Sequence, residues 1–492
     1  MHYYLGIDCG GTFIKAALFD KTGKIHACER ESLSVISEQA SYAERDMDEL
    51  WRACANVIRT TIKHSKIEPH FIKSVGISAQ GKGAFLLDKE NKPLGRAILS
   101  SDQRSQPIVK RWQQEGLEKK VYPLSYQGLW TGHPVSILRW LKENQPQRYY
   151  AINKLLMAHD YLRFCLTGEL YCEESNISES NLYNMAIGNY EPELARLLGI
   201  EEIIGKLPPI VKPNQIAGYI TQQAAHQCGL AVGTAVVGGV FDITAMTLCL
   251  TDDNDETKLN VLLGTWSIVT GISHTIDENQ TLPFAHGRYV EQNTFLIQEA
   301  SPTSAGNLEW FIKQWNLTYH QTNQMVEALP PAQSAVIFIP FLYGTNAKLG
   351  MTAGFYGMQA HHTLAHLLQA VYEGVLFSLM IHLERMYQRF PHVQRLRVTG
   401  GPVKSQVWLQ MLADFSGKTL EVLQTEEVGC LGAALMAAEG ANHEAATLKR
   451  NQKLKIIHPN SFHFDAYQQK YQKYRKLVDA ARDKLTAFCA IN

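Results

Sequence analysis

Tyr3-Tyr4-Leu5-Gly6-Ile7-Asp8-Cys9-Gly10-Gly11-Thr12-Phe13-Ile14-Lys15-Ala16-Ala17-Leu18-Phe19-Asp20 carries the first strand–turn–strand unit of the chain. Residues 3–8 have the apolar and aromatic content of a buried strand, Cys9-Gly10-Gly11 makes a tight turn, and residues 12–20 read as a second strand. Lys21-Thr22-Gly23-Lys24 forms the next turn and residues 25–29 the next strand, so the chain begins as an antiparallel meander. Asp8 closes the first strand with a carboxylate. The two glycines after it let backbone N–H groups approach a phosphate, and Thr12 adds a hydroxyl. On these residues alone, a phosphate and magnesium cradle and an ordinary hairpin fit equally well.

The pattern returns in the second half. Residues 259–263 lead into Gly264-Thr265-Trp266-Ser267 and then into 268–272, a second strand, glycine turn and strand. Two such turns on opposite halves suit a triphosphate held between them, so two like-folded domains facing a central cleft are expected. At 492 residues the chain exceeds one ordinary core, in agreement. Helical spacing at 47–64, 135–141, 155–166, 362–385 and 405–415 alternates with short strand-like runs at 73–77, 234–240, 335–340 and 396–399, which indicates α/β. Residues 467–488 read as a surface helix. The turn-rich approach at 229–242 is the expected boundary, giving domains 1–240 and 241–492, with the C-terminal helix a candidate to pack back on the first.

Three further stretches bear on chemistry. Gly238-Gly239-Val240-Phe241-Asp242 runs a strand into glycines and then an aspartate ahead of an apolar helix. Asp242 suits a helix cap, and it equally suits acceptance of a proton from an attacking hydroxyl, a task one carboxylate performs in phosphoryl transfer. Gly76-Ile77-Ser78-Ala79-Gln80-Gly81-Lys82-Gly83 satisfies a P-loop up to its lysine. However, Gly83 stands where Ser or Thr is required, and residues 84–88 read as a strand instead of the helix. Gln80 and Lys82 are instead suited to a sugar's hydroxyls, against the simpler reading of a solvated lysine in a turn. Leu396-Arg397-Val398-Thr399-Gly400-Gly401 is another strand-to-glycine transition.

Composition narrows the partners. Lys plus Arg and Asp plus Glu both number 47, with no block of one sign, so no nucleic acid or membrane surface is indicated and a small molecule is expected. The nine cysteines are scattered without a C-x-x-C pair, which reads as reduced, buried thiols. Asp8 comes too early for a signal peptide, and no later apolar run is expected to reach the ~18 residues of a spanning helix, which places the chain in the cytoplasm.

Taken in order, these motifs resemble the FGGY carbohydrate kinases. The most specific match is to that family's C-terminal signature: Ala353-Gly354-Phe355-Tyr356-Gly357-Met358, a seven-residue gap, then His366-Leu367 and Ala370-Val371-Tyr372-Glu373. Further similarities are Asp160-Tyr161-Leu162, Leu166-Thr167-Gly168 and Gly432-Ala433-Ala434. Within the family the chain is most similar to kinases of L-xylulose and 3-keto-L-gulonate, through 78–83, Ser100-Ser101-Asp102, Trp130-Thr131-Gly132-His133-Pro134, Glu174-Ser175-Asn176-Ile177-Ser178-Glu179-Ser180-Asn181 and Glu299-Ala300-Ser301-Pro302-Thr303. It departs from the D-xylulose kinases in having Gly81-Lys82 where they have Met-His, and from many members in having Ile137 three residues before Trp140.

The resemblance implies two actin-like, ribonuclease H-like ATPase domains, ATP and Mg2+ as cofactors, and phosphorylation of a ketose at its terminal hydroxyl. L-xylulose and 3-keto-L-gulonate are the expected substrates and homodimers are common by analogy. It implies Asp242 as the catalytic base and Asp8 as the metal-holding carboxylate. It places the nucleotide on Gly10, Gly11, Thr12, Lys15, Gly264, Thr265, Gly306, Gly400, Gly401 and Ser405. The sugar would meet Gln80, Lys82, Asp102, Arg104, His133 and Asp242, with Lys82, helped by Arg104 or His133, supplying charge for a sugar-acid carboxylate. Open alternatives are another sugar or furanone-type ketose kinase of the family, and a non-catalytic, nucleotide-gated binding protein of the same superfold.

Overall fold

The computed structural model describes residues 2–250, 256–264, 266–276, 284–344, 351–424, 427–441, 448 and 454–488, with side chains to 481 in the last helix. The chain divides into two compact units. The first comprises residues 1–249, 273–297 and 425–452, and the second comprises 250–272, 298–424 and 453–492. The sequence placed the boundary at 240/241; the first unit runs on through Cys249 and so includes Asp242.

In the first unit, Tyr3–Cys9 pairs antiparallel with Phe13–Asp20, which pairs antiparallel with Ile25–Ser32. This is the expected meander. On its other edge, Tyr3–Cys9 pairs parallel with Ile72–Ala79, which pairs parallel with both Ala235–Val237 and Val240–Phe241. The run expected at 234–240 is therefore two strands. Gly239 breaks it at φ +94°, where a Cβ would come within 3.0 Å of the Ile77 carbonyl.

Alternation along Tyr3–Cys9 sends Leu5, Ile7 and Cys9 to one face, where they pack with Leu50, Cys54, Val57 and Ile58 of the Met47–Ser65 helix. Asp46 starts that helix by accepting the Glu49 N–H at 2.8 Å. Gly6 and Gly76 lie on the opposite face, against the Val428–Gly440 helix. A Cβ on either would come under 3.0 Å from the carbonyl of Cys430 or Ala433. Residues 155–166, expected as one helix, divide into a Lys154–Leu156 strand and an Ala158–Thr167 helix.

The second unit repeats the plan. Lys258–Leu263 and Ser267–Ser273 form the antiparallel hairpin, Lys258–Leu263 continues parallel into Arg395–Thr399 and then Thr419–Leu423, and Leu454–Ile457 closes antiparallel. One expectation gains an addition here and one needs correction. First, the Ser461–Phe488 helix is a surface helix whose other face buries Tyr467, Lys470, Tyr471 and Tyr474 within this unit, with Phe377 and Phe415 against their rings. Its buried face is thus taken up by the second unit. Second, Leu364–Arg389 is long and apolar enough to cross a membrane by composition, contrary to the expectation that no such run exists. It is a core helix, with every residue from Leu368 to Met380 buried.

Candidate active site

Three parallel strands of the first unit end in register: Cys9 pairs with Ala79, and Ala79 with Phe241. Gly10-Gly11, Gln80-Gly81-Lys82 and Asp242 therefore emerge side by side at the carboxyl edge of the sheet, where open α/β sheets bind ligands. A Cβ on Gly11 would sit 3.6 Å from Gln80 Oε1, so the two loops touch. The Gly10 N–H closes the turn onto the Phe13 carbonyl at 2.9 Å, while Gly11 and Thr12 are exposed.

Asp8 and Asp242 both titrate far from the ordinary carboxylate range. Burial pushes Asp8 up to about 6, with Lys15 pulling the other way. A Cβ on Gly429 would fall under 3.0 Å from the Asp8 carboxyl, so that glycine lets the start of the Val428–Gly440 helix close over it. Lys15 is tied to Glu427 at 2.8 Å. Burial pushes Asp242 up to about 7, and the charge of Asp8 adds to the rise; the Ile243 N–H and Lys82 oppose it. Asp242 is the first residue of the Asp242–Leu250 helix, and its Oδ1 accepts the Ile243 N–H at 2.7 Å, which fixes its direction.

Lys82 is not the solvated lysine of a simple turn. It adopts φ +64°, its N–H donates to Asn176 Oδ1 at 3.0 Å, and its Nζ pairs with Glu179 Oε2 at 2.7 Å and lies 5.0 Å over the Phe241 ring. Glycine at 81 gives that ring its room. The Gly83 N–H donates to the Gly132 carbonyl at 3.0 Å, which brings His133 to the same place. Asn181 donates to His133 Nδ1 at 3.0 Å and to the Gly128 carbonyl, while its own oxygen accepts from Ser125 at 2.7 Å. That network puts the His133 proton on Nε2. Burial and then Lys82 hold this imidazole well below its usual pKa, so it is a neutral donor.

Asp102 and Arg104 are near neighbours of this loop but are already engaged. The Asp102 carboxylate accepts the Ala43 N–H at 2.7 Å and the Arg104 guanidinium at 2.8 and 2.9 Å. Arg104 also pairs with Glu44 at 2.7 Å and lies 3.8 Å over the Tyr42 ring. Through Gln103 and Ser105, which bond Thr131 at 3.1 and 2.7 Å, the pair braces residues 130–133. The positive charge expected of Lys82, Arg104 and His133 is thus compensated at the first two and absent at the third.

The sequence reading missed the stretch Glu173–Asn181 as a source of site contacts. All eight of its polar residues are buried, and that density of buried polar groups is the signal that marks it. Glu173 caps the short Glu174–Ile177 helix, and the Ser175 hydroxyl accepts the Phe241 N–H at 3.0 Å, directly before Asp242.

In the second unit, Gly400 at φ +112° lies against the Leu263 carbonyl, so the Gly264 and Gly400-Gly401 turns adjoin at the ends of parallel strands. The Gly264 N–H closes its turn onto the Trp266 carbonyl at 3.0 Å. Gly306 begins the Gly306–Gln314 helix beside the Tyr343 ring, and Ser267 at the other side of the Gly264 turn bonds the nearby Thr303 carbonyl at 3.1 Å. Ser405 caps the Gln406–Ser416 helix through the Trp408 N–H at 3.2 Å and donates to Asn323 at 2.7 Å, a partner the sequence did not suggest. Thr265 lies outside the described residues.

No group of three or more His, Cys, Asp or Glu among the described residues could cage a metal. Magnesium bound with nucleotide needs no such cage, since it keeps waters and takes one or two carboxylates together with phosphate oxygens. Asp8, half-buried at the strand end next to the first glycine turn, fits that role.

Comparison with known proteins bears on the fold and the family. The N-terminal domain of the FGGY family of carbohydrate kinases matches residues 3–249, and its C-terminal domain matches 259–441. The chain is 65% identical over 485 residues to a probable L-xylulose kinase of Pasteurella multocida, covering 99% of this chain and 100% of the relative. It is 53% identical over 483 residues to the L-xylulose/3-keto-L-gulonate kinase of Escherichia coli, covering 97% of each. Among solved structures, a ligand-bound xylulose kinase from Lactobacillus acidophilus superposes with a TM-score of 0.91 at 20% identity, covering 99% of this chain and 100% of that one. The Plasmodium falciparum glycerol kinase with ADP gives 0.86 at 18% identity, covering 98% of each. The two sheet cores, each a hairpin extended by parallel strands, are those of the actin-like, ribonuclease H-like sugar kinases, and the chain belongs to the FGGY family of carbohydrate kinases.

Proposed function

We propose that this kinase transfers the terminal phosphoryl group of ATP to the terminal hydroxyl of a ketose, with L-xylulose and 3-keto-L-gulonate as substrates and their 5- and 6-phosphates as products. The observation that carries the chemistry is Asp242, a carboxyl near pKa 7 whose direction is fixed at the edge where Gly10-Gly11 and Gln80-Lys82 also emerge. The substrate reading is supported by the names and near full-length identity of the 53–65% relatives.

In the reaction, the hydroxyl oxygen forms a bond to the γ-phosphorus, the bond from that phosphorus to the ADP oxygen breaks, and the hydroxyl proton passes to Asp242. A group near pKa 7 is about half ionised at neutral pH, so it is available as an acceptor without holding the proton too weakly. Gln80, Lys82 Nζ and the Nε2–H of His133 orient the sugar. Gly10, Gly11 and Thr12 serve as the phosphate turn of the first unit, with Lys15 beside Asp8, and Gly264, Gly306, Gly400, Gly401 and Ser405 serve as the nucleotide-binding turns of the second unit. Asp8 would hold Mg2+, which supplies charge neutralisation at the phosphates when bound.

The test is ADP release with Mg2+ and ATP across L-xylulose, 3-keto-L-gulonate, D-xylulose, L-ribulose and glycerol, with Asp242→Ala as control. Turnover on the first two, lost at least about 10³-fold in the variant, is the expected result. Turnover on glycerol or D-xylulose in preference to both would overturn the substrate assignment, and full activity in the variant would overturn the role of Asp242.

A further inference from the structure

The Lys82–Glu179 pair is unusual for a substrate loop. Its carboxylate is fully buried and its ammonium is only 13% exposed, 2.7 Å apart. Glu179 is held from both sides. Gly287 in the Ala285–Arg288 strand leaves room for the Glu179 carboxylate, which a Cβ there would force to shift, and the adjacent Ser178 hydroxyl accepts the Arg288 N–H at 2.9 Å. The second carboxylate oxygen of Glu179 has no hydrogen-bond partner among the described residues. A buried charge kept at that cost has its compensating partner in Lys82.

We propose that Glu179 is a specificity-determining positioning residue, which cancels the charge of Lys82 and aims its Nζ so that the sugar loop reads hydroxyls as a neutral unit. This inference rests on the substrate reading above. A neutral loop favours an uncharged ketose over one ending in a carboxylate, because a sugar acid gains little from an ammonium already paired at 2.7 Å. The remaining groups around the loop add no free positive charge: Arg104 is paired with Asp102 and with Glu44, which Arg96 shares, and His133 is neutral. Asp8 and Asp242 add negative charge, which disfavours a sugar acid further.

The experiment measures kcat and KM separately for L-xylulose and 3-keto-L-gulonate in wild type, Glu179→Gln, Lys82→Gln and the double variant. Unpairing Lys82 in Glu179→Gln is expected to raise the acid-to-neutral ratio of kcat/KM by roughly tenfold, chiefly through KM for the acid. Lys82→Gln is expected to lower that ratio, and the double variant, neutral again, to return it to within about threefold of wild type. A ratio unchanged in the variants, with kcat falling equally on both substrates, would reduce Glu179 to a structural residue and overturn the proposal. Should Glu179→Gln not fold, the Lys82→Gln and double-variant ratios decide alone. Wild-type silence on both sugars defeats only the substrate reading, and the charge effect is then read by calorimetric binding of D-gluconate against D-xylulose across the same variants, where equal shifts for both ligands overturn it.

Discussion

Replacing Asp242 by Asn should stabilise the ligand-free protein at pH 8 and do so only about a quarter as much at pH 4.5. The folded protein lifts this carboxyl from an ordinary 3.8 to about 7, so between those values the folded state binds a proton more tightly than the unfolded chain. Stability therefore falls as pH rises through that window, and the deficit is complete above pH 7. A shift of about three units corresponds to a ceiling of about 4 kcal/mol at about 1.4 kcal/mol per unit. Asp242 keeps partial exposure, and solvent screening lowers the working figure to about 1–3 kcal/mol. Asparagine is neutral and isosteric, so it escapes the deficit and also releases the repulsion with Asp8. Urea unfolding at pH 4.5 and 8 measures the difference, with ADP release recording the loss of activity. A variant no more stable than wild type at pH 8, or equally stabilised at both pH values, would refute the electrostatic account of this site.

Two further substitutions test the packing that supports it. Gly76→Ala would place a Cβ under 3.0 Å from the Ala433 carbonyl, backbone against backbone, and should cost about 1–3 kcal/mol or more, seen as a lower Tm with the Val428–Gly440 helix displaced. Lys470→Met would strand the buried Glu373, whose pKa burial already raises, and should cost about 3–5 kcal/mol near neutral pH. Because a raised carboxyl is neutral below its folded pKa, that deficit should shrink toward pH 5, and Lys470→Met with Glu373→Leu should recover most of the loss; a pH-independent deficit would contradict the assignment.

How far the site was legible from sequence varies with the distance over which it is specified. The Asp8 to Thr12 turn and the Gly238-to-Asp242 run were readable because turn chemistry and alternation act within a few residues. The 155–166 segment misled because Leu155 and Leu156 continue an apolar spacing that a strand and a helix share at their junction. The C-terminal helix was readable as a surface helix, while its Lys and Arg content hid the stripe of buried tyrosines on its other face.

Local pattern was enough for the two strand–glycine-turn–strand units, the α/β class, the candidate carboxylates Asp8 and Asp242, and the family resemblance. What those residues meet was set by the folded chain. It paired Lys82 with Glu179, 97 residues away, Lys15 with Glu427, 412 residues away, and seated Gly429 over Asp8. It also turned Arg104 into a brace and His133 into a neutral donor. Charge compensation and burial depend on which strand ends share a register and which distant helix closes over them, and no local periodicity encodes either.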